Sequence, residues 1–374
     1  MSLIRFDRGP LETGTSFSDP SYLVRADTPA EVPLALAAVA EAQAKGAWVA
    51  GCLSYELGYA LDPRLSGLLP DNRDMPLILL GIFDGPRPAP PLPDPDGAWI
   101  GPAQPLWSRD RYDRAIMAIR DYIAAGDTYQ INLTFPTEAP CGGDPLSLYA
   151  ALAARQPVGE GAFVDLDNRP ILSRSPELFF SVDQGGQITT RPMKGTAARG
   201  ATSGRDRAAS SELASSAKNR AENLMIVDLL RNDISRICRP GTVRVPHLFQ
   251  VESYATVHQM TSTVTGQLAD GMGFADILRA LFPCGSITGA PKIRAMEIIA
   301  ELEQTPRGVY CGAIGWIDPT GPMRFSVAIR TPVMIGPGRL RLNVGGGITH
   351  DSRAGSEWEE AICKAAFLDL SPKD

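Results

Sequence analysis

The chain has 374 residues, 44% hydrophobic and 21% charged, enough for a large buried core in one oversized domain or two lobes. A formal net charge of -6 and a pI near 5.3 speak against a nucleic-acid binder, because affinity for phosphate backbones comes from clustered Lys and Arg. No stretch approaches the roughly 20 apolar residues of a membrane span, and the opening MSLIRFD carries no apolar secretory segment.

The first predicted element is an Ala-rich helix over 29–46, closed by glycine, followed by an apolar strand over 47–55. Residues 85–105 (GPRPAPPLPDPDGAWIGPAQP) hold too much proline for helix or sheet interior. They read as an extended connector, which makes 1–105 a small N-terminal lobe plus connector and 106–374 a larger C-terminal domain. A helix over 111–125 carries Tyr112, Ile116, Ile119, Tyr122 and Ile123 at helical spacing, with Ser108 or Asp110 as N-cap and Gly126 at its end. Strands follow at 161–167, 178–182, 188–191 and 262–266. The run 309–318, 324–335 and 339–344 reads as an antiparallel meander, and further helices are predicted over 217–230, 274–281, 291–303 and 356–368. Strands and helices mix without βαβ alternation, so the expected class is α+β.

Six dispersed cysteines without a C-x-x-C pair read as reduced, buried thiols of a cytoplasmic protein. Three histidines with no metal-motif spacing argue against zinc. Acidic side chains offer hard oxygen ligands instead: Glu222 early in one helix, and Glu357 with Glu360 at i and i+3 in another. Taken alone, they read first as solvated helix charge. Gly345-Gly346-Gly347 reads as a turn after a strand, where bare amides approach an anion, or as a plain turn. Residues 283–292 (PCGSITGAPK) lead into a helix whose N-terminal amides suit an anion. Arg330, in an apolar strand-like run, needs an internal acid or a ligand carboxylate. Lys194, just past a strand, is either a surface lysine or a desolvated nucleophile. His258 is either a general base or a satisfied core histidine.

In this order the segments AGDTYQIN (125–132), SPELF (175–179), PMKGT (192–196), AENLMIVDLLRND (221–233), GSITGAPK (285–292), AIRT (328–331), GGGI (345–348) and EWEE (357–360) resemble the chorismate-utilising enzymes. That family includes anthranilate synthase component I, aminodeoxychorismate synthase component I and the isochorismate and salicylate synthases, and the resemblance runs from about Tyr112 to Phe367. It implies two facing antiparallel β-sheets flanked by helices, with chorismate in the cleft between them. It assigns Mg2+ to Glu222 and Glu360 with Glu357 close by, the metal holding the ring carboxylate. Arg330 and Tyr310 would bind the other carboxylate, helped by amides near Gly345, Gly346 and Gly347. Thr288 and His258 would line the ring, and Glu177 would protonate the departing C4 hydroxyl.

Two positions choose among subfamilies. Isochorismate-type members, which add water, resemble one another in having a lysine where this chain has Gln130. Anthranilate synthases have alanine where this chain has Lys194, and the lysine marks the aminodeoxychorismate synthases. The resemblance therefore implies amination of chorismate at C4 through a lysine-bound intermediate, in 4-aminobenzoate (folate) synthesis. Met193 departs from the family's usual isoleucine, a conservative change. A glutamine amidotransferase partner would supply ammonia, since no such sequence is evident, and a separate aminodeoxychorismate lyase would follow. Residues 21–27 (SYLVRAD) lack the L-L-E-S segment that shapes a tryptophan pocket, so feedback by tryptophan is expected to be weak. The rival readings are anthranilate synthase component I and an inactive chorismate-binding or scaffold subunit.

Overall fold

The computed structural model describes residues 2–12, 14–254 and 257–371. The chain begins with β1 (Leu3–Phe6), β2 (Thr15–Ser18) and β3 (Tyr22–Ala26). Helix α1 (Val32–Ala44), β4 (Trp48–Leu53), the short α2 (Leu57–Leu61) and β5 (Ile78–Phe83) follow. The proline-rich stretch is extended, holding only the two-residue strands β6 (Arg87–Pro88), β7 (Trp99–Ile100) and β8 (Gln104–Pro105). Next come α3 (Arg109–Ala124), β9 (Gln130–Gly142), α4 (Pro145–Arg155), β10 (Glu160–Asp165), β11 (Ile171–Ser175), β12 (Leu178–Val182), β13 (Gln187–Arg191) and β14 (Met193–Ala198). Helices α5 (Ser203–Ser215) and α6 (Ala217–Ser235) precede β15 (Arg244–Ser253), β16 (Val257–Gln267), α7 (Phe274–Leu281), β17 (Gly289–Ala290) and α8 (Lys292–Glu303). The chain closes with β18 (Ala313–Ile317), β19 (Met323–Val327), β20 (Val333–Gly336), β21 (Arg339–Ile348) and α9 (Ala354–Ala365).

The strands form two antiparallel sheets, one in the order β17-β9-β21-β20-β11-β10-β1-β2-β6, the other β14-β16-β13-β12-β19-β18-β4-β5-β3. Buried side chains of both sheets join in two apolar clusters. Phe17 of β2 meets Trp48 of β4 and Phe83 of β5 at 6.0 and 5.2 Å between ring centroids. This is the α+β arrangement of two packed sheets. Residues 1–105, expected to form a lobe of their own, share both sheets with residues 106–374. β1 pairs with β10, and β4 pairs with β18 from Val49↔Ile317 to Leu53↔Ala313.

Local chemistry explains the helices that carry the site. In α6, Ser216 caps the first turn by accepting from the Asn219 amide, and Asn223, Ile226, Val227, Leu230, Asp233 and Ile234 form one buried stripe. Glu222 sits at the edge of that stripe, which aims it along the buried face. In α9, Ala361 and Ala365 face inward against β21, while Trp358 stacks on Phe135 of β9 at 4.8 Å.

Two further expectations need correction. Gly345-Gly346-Gly347 is no turn. The three glycines lie inside β21, paired with Thr134, Leu133 and Asn132 of β9. The meander over 309–344 is also split: β18 and β19 pair in one sheet, and the chain then crosses to the other, where β20 pairs with β21.

Candidate active site

Lys194 owes its direction to a β-bulge. Met193 pairs with Thr261 and Thr196 with Gln259, so Lys194 and Gly195 together oppose the single residue Met260. Gly195 has φ +93, a left-handed value that glycine takes without strain. The Gln259 amide bridges the gap, donating to the Gly195 carbonyl at 2.9 Å and accepting from the Thr196 hydroxyl at 2.9 Å. The bulge re-aims a half-buried lysine towards β21. A Cβ added to Gly347 would lie 2.9 Å from Lys194 Nζ and 2.6 Å from Gln130 Nε2; one added to Gly346 would lie 3.4 Å from Lys364 Nζ and 3.7 Å from Glu357 Oε2. The glycines keep this floor bare so that charged groups can approach it.

Desolvation pulls the Lys194 pKa below its ordinary value. Lys364 pushes the same way, while Glu222, Glu177 and Glu360 oppose it. Those partners place Lys194 among most of the predicted acids. Glu177, 4% exposed, is pushed by burial up to about 7, against the nearby Ser286 hydroxyl, Lys194 and the Met193 amide. Its Oε1 has no hydrogen-bond partner among the described residues, as do both amide atoms of Gln130, 1% exposed. Buried polar atoms left open beside a desolvated lysine suit a polar ligand.

Glu222, Glu357 and Glu360 gather on the same side. Burial raises the Glu222 pKa, and repulsion from Glu357 and Glu360 adds to the rise. Each carboxylate has a local partner: Glu222 faces Lys218 at 3.9 Å, Glu360 pairs with Lys364 at 2.7 Å, and Glu357 Oε1 accepts from Ser352 at 2.7 Å. Among the described residues no three acids, histidines or cysteines converge closely enough to hold a metal. Lys364 also donates to the Gly345 carbonyl at 2.9 Å. The sequence reading missed this lysine, although its i+4 spacing from Glu360 signals the pair.

Arg330 departs from the strand-like expectation: it follows β19 with φ +50. Its guanidinium has no acid partner among the described residues, and burial alone disfavours its charge, so the internal ion pair weighed above is not formed. Its carbonyl accepts from the Arg174 amide at 3.0 Å, and the Glu177 carbonyl accepts from the Val327 amide at 3.0 Å, so one pair of strand ends sets both residues. Tyr310, buried nearby in sequence on the β18 side, has its phenol pushed well above the ordinary value by burial.

Two predicted residues are engaged elsewhere. His258, 1% exposed, bonds Ser253 Oγ through Nδ1 and Asp206 Oδ1 through Nε2, each at 2.9 Å. The Thr288 hydroxyl donates to the Cys284 and Gly285 carbonyls at 3.2 and 3.3 Å. Glu303 and Arg307, unread in the sequence, form a buried pair at 2.7 Å under the site. Arg307 also donates to the Ile287 and Asn132 carbonyls at 3.0 and 2.7 Å.

The sequence of residues 9–369 matches the model of the chorismate binding enzymes. The chain belongs to this family. Its relatives include an aminodeoxychorismate synthase of Streptomyces griseus, 46% identical over 278 residues, covering 74% of this chain and 38% of that one. Another is the aminodeoxychorismate synthase component 1 of Klebsiella aerogenes, 46% identical over 69% of this chain and 56% of its own. The chain thus spans about half or less of the length of these curated relatives. The crystal structure of anthranilate synthase component I from Streptococcus pneumoniae superposes with a TM-score of 0.75 at 29% identity, covering 86% of this chain and 80% of that one. Among the described residues, no helix of this family member is long and apolar enough to cross a membrane, and five of its six cysteines are buried.

Proposed function

We propose that this chorismate binding enzyme aminates chorismate at C4, giving 4-amino-4-deoxychorismate for 4-aminobenzoate synthesis in the cytoplasm. The observation that carries the reading is Lys194: bulge-mounted, desolvated, and beside the buried Glu177. The relatives named aminodeoxychorismate synthase support it, as does the lysine at the position that resemblance ties to that subfamily.

Neutral Lys194 bonds through Nζ to C2 of chorismate, the ring double bonds shift, and the C4–O bond breaks. Glu177, held protonated up to about 7, gives its proton to the departing hydroxyl, which leaves as water. Ammonia then bonds to C4, the double bonds return, and the C2–N bond breaks to release Lys194. Arg330, lacking an internal anion, takes one substrate carboxylate, with Tyr310 beside it. The open amide of Gln130 faces the same space and supplies no base for water.

Glu222 and Glu360, with Glu357 close by, are hard oxygen donors that do not close around an ion by themselves, so they fit Mg2+, which keeps water and substrate oxygens in its shell. Bound there, Mg2+ would supply positive charge for the ring carboxylate. Ammonia is supplied by a glutamine amidotransferase subunit, in keeping with relatives named component 1, and a lyase consumes the product. The test incubates the protein with chorismate, ammonium and Mg2+ and identifies the product by mass and by lyase coupling. Lyase-competent 4-amino-4-deoxychorismate is expected, whereas anthranilate or no turnover overturns the reading.

A further inference from the structure

The lysine-bearing strand β14 stands at the end of its sheet, and among the described residues β16 is its only strand partner. A bulged terminal strand has few ladder bonds to fix it, yet a covalent nucleophile must meet one carbon within a fraction of an ångström. The structure gathers the missing restraint on one carboxylate. Asp206, in the first turn of α5, accepts from Arg199 Nε and Nη2 at 2.8 Å each and from the Gly200 amide at 2.8 Å. Arg199 and Gly200 are the first residues beyond β14. The same Asp206 Oδ1 bonds His258 Nε2 at 2.9 Å, and His258 pairs with Ala197 across the β16–β14 ladder. Arg199 reaches on to the Tyr254 carbonyl at the end of β15.

We infer that Asp206 is a positioning residue for Lys194: it ties the outgoing end of β14 to α5 and β16 and so fixes the bulge that aims the nucleophile. His258 is part of this tether. The carboxylate favours a proton on Nε2, leaving Nδ1 to accept from Ser253, so neither ring nitrogen is open to substrate. The bond from Asp206 spans 52 residues of sequence, out of reach of any local pattern.

The inference rests on Lys194 being the nucleophile, and the test separates the two. Wild-type protein is mixed with chorismate and Mg2+ without ammonia, quenched by denaturation, and the Lys194 peptide is weighed over time. No adduct in the wild type overturns the nucleophile reading, and the positioning role with it. With a wild-type adduct in hand, Asp206→Ala is expected to lower both kcat and the rate of adduct formation on the order of a hundredfold. Its KM for chorismate stays within about twofold, because the carboxylate-binding groups are untouched. Asp206→Asn, which keeps an oxygen for Gly200 and His258, restores a large part of the rate. If Asp206→Ala fails to fold, Arg199→Gln cuts the same tether from the strand's side and carries the test, with a smaller fall in the same two rates. Wild-type adduct formation in whichever variant folds, or a loss confined to KM, overturns the positioning role while leaving the nucleophile reading intact.

Discussion

Lys194 Nζ lies 2.9 Å from the point that a Cβ on Gly347 would occupy. The glycine therefore leaves room for the Lys194 side chain over β21. Both groups that a methyl would meet, Lys194 Nζ and Gln130 Nε2, are ends of flexible side chains, so the strand accommodates the change by moving them. Gly347→Ala is expected to fold with a melting temperature near that of the wild type and to lose activity on the order of a hundredfold. Steady-state rates with ammonium as donor, set beside a thermal melt, check this.

Glu177 couples activity to stability. Its folded pKa of about 7 lies above the unfolded glutamate value of about 4.3, so its contribution to stability is complete below about 4.3 and is lost as pH rises through about 7. Glu177→Gln removes that loss. The variant should match the wild type at pH 4 and exceed it by ~3–4 kcal/mol at pH 8 in denaturant unfolding. It should also lose 10²- to 10⁴-fold in kcat, about the usual share of a general acid. In the wild type the acid limb falls away above about pH 7, and the variant lacks that limb.

The acid cluster predicts metal dependence with a readout apart from turnover. Mg2+ at about a hundred times its Kd should stabilise the wild type by ~2.7 kcal/mol. Glu222→Ala and Glu360→Ala should fold, show no such gain and lose most activity. Equal Mg2+ stabilisation in both variants removes these residues from the metal site.

The helices that carry the site were legible because their apolar periodicity is local: α6 starts at Ala217 as expected and runs on to Ser235, and α9 differs from expectation only at its ends. The strands were less so. β9 spans thirteen residues and was not read, since Pro136 and Pro140 argue against a central strand; tolerance for them is visible only in its pairing with β21. The glycines of β21 signalled a turn because the reasons for them are long-range: Gly347 leaves room for Lys194, Gly346 for Lys364 and Glu357, and Gly345 for the β9 backbone. Motif resemblance named Lys194, Glu177 and the three glutamates, which the structure brings together. It said nothing of Asp206 or Arg307, whose roles are set by long-range contacts, or of α5, whose serine-rich sequence lacks an apolar stripe.

Arg307 and Glu303, 1% and 4% exposed at the side chain, are buried beyond the reach of water. Removing one leaves the other's buried charge without its counter-ion, although Thr134 still donates to Glu303 and the Ile287 and Asn132 carbonyls still accept from Arg307. Glu303→Ala and Arg307→Ala are each expected to cost ~3–5 kcal/mol in chemical denaturation. The Arg307 variant additionally frees the Ile287 and Asn132 carbonyls, so it should also lose activity under conditions where it is still folded.

The central claim is a covalent bond between Lys194 and C2 of chorismate, and peptide mass spectrometry tests it most directly. Wild-type protein denatured after reaction with chorismate and Mg2+, without ammonium, should carry on the Lys194 peptide the mass of chorismate less one water. Added ammonium should clear it. Lys194→Ala should bind chorismate, form no adduct and lose most C4 amination. An unmodified Lys194 peptide, together with full C4 amination by Lys194→Ala, would contradict the account.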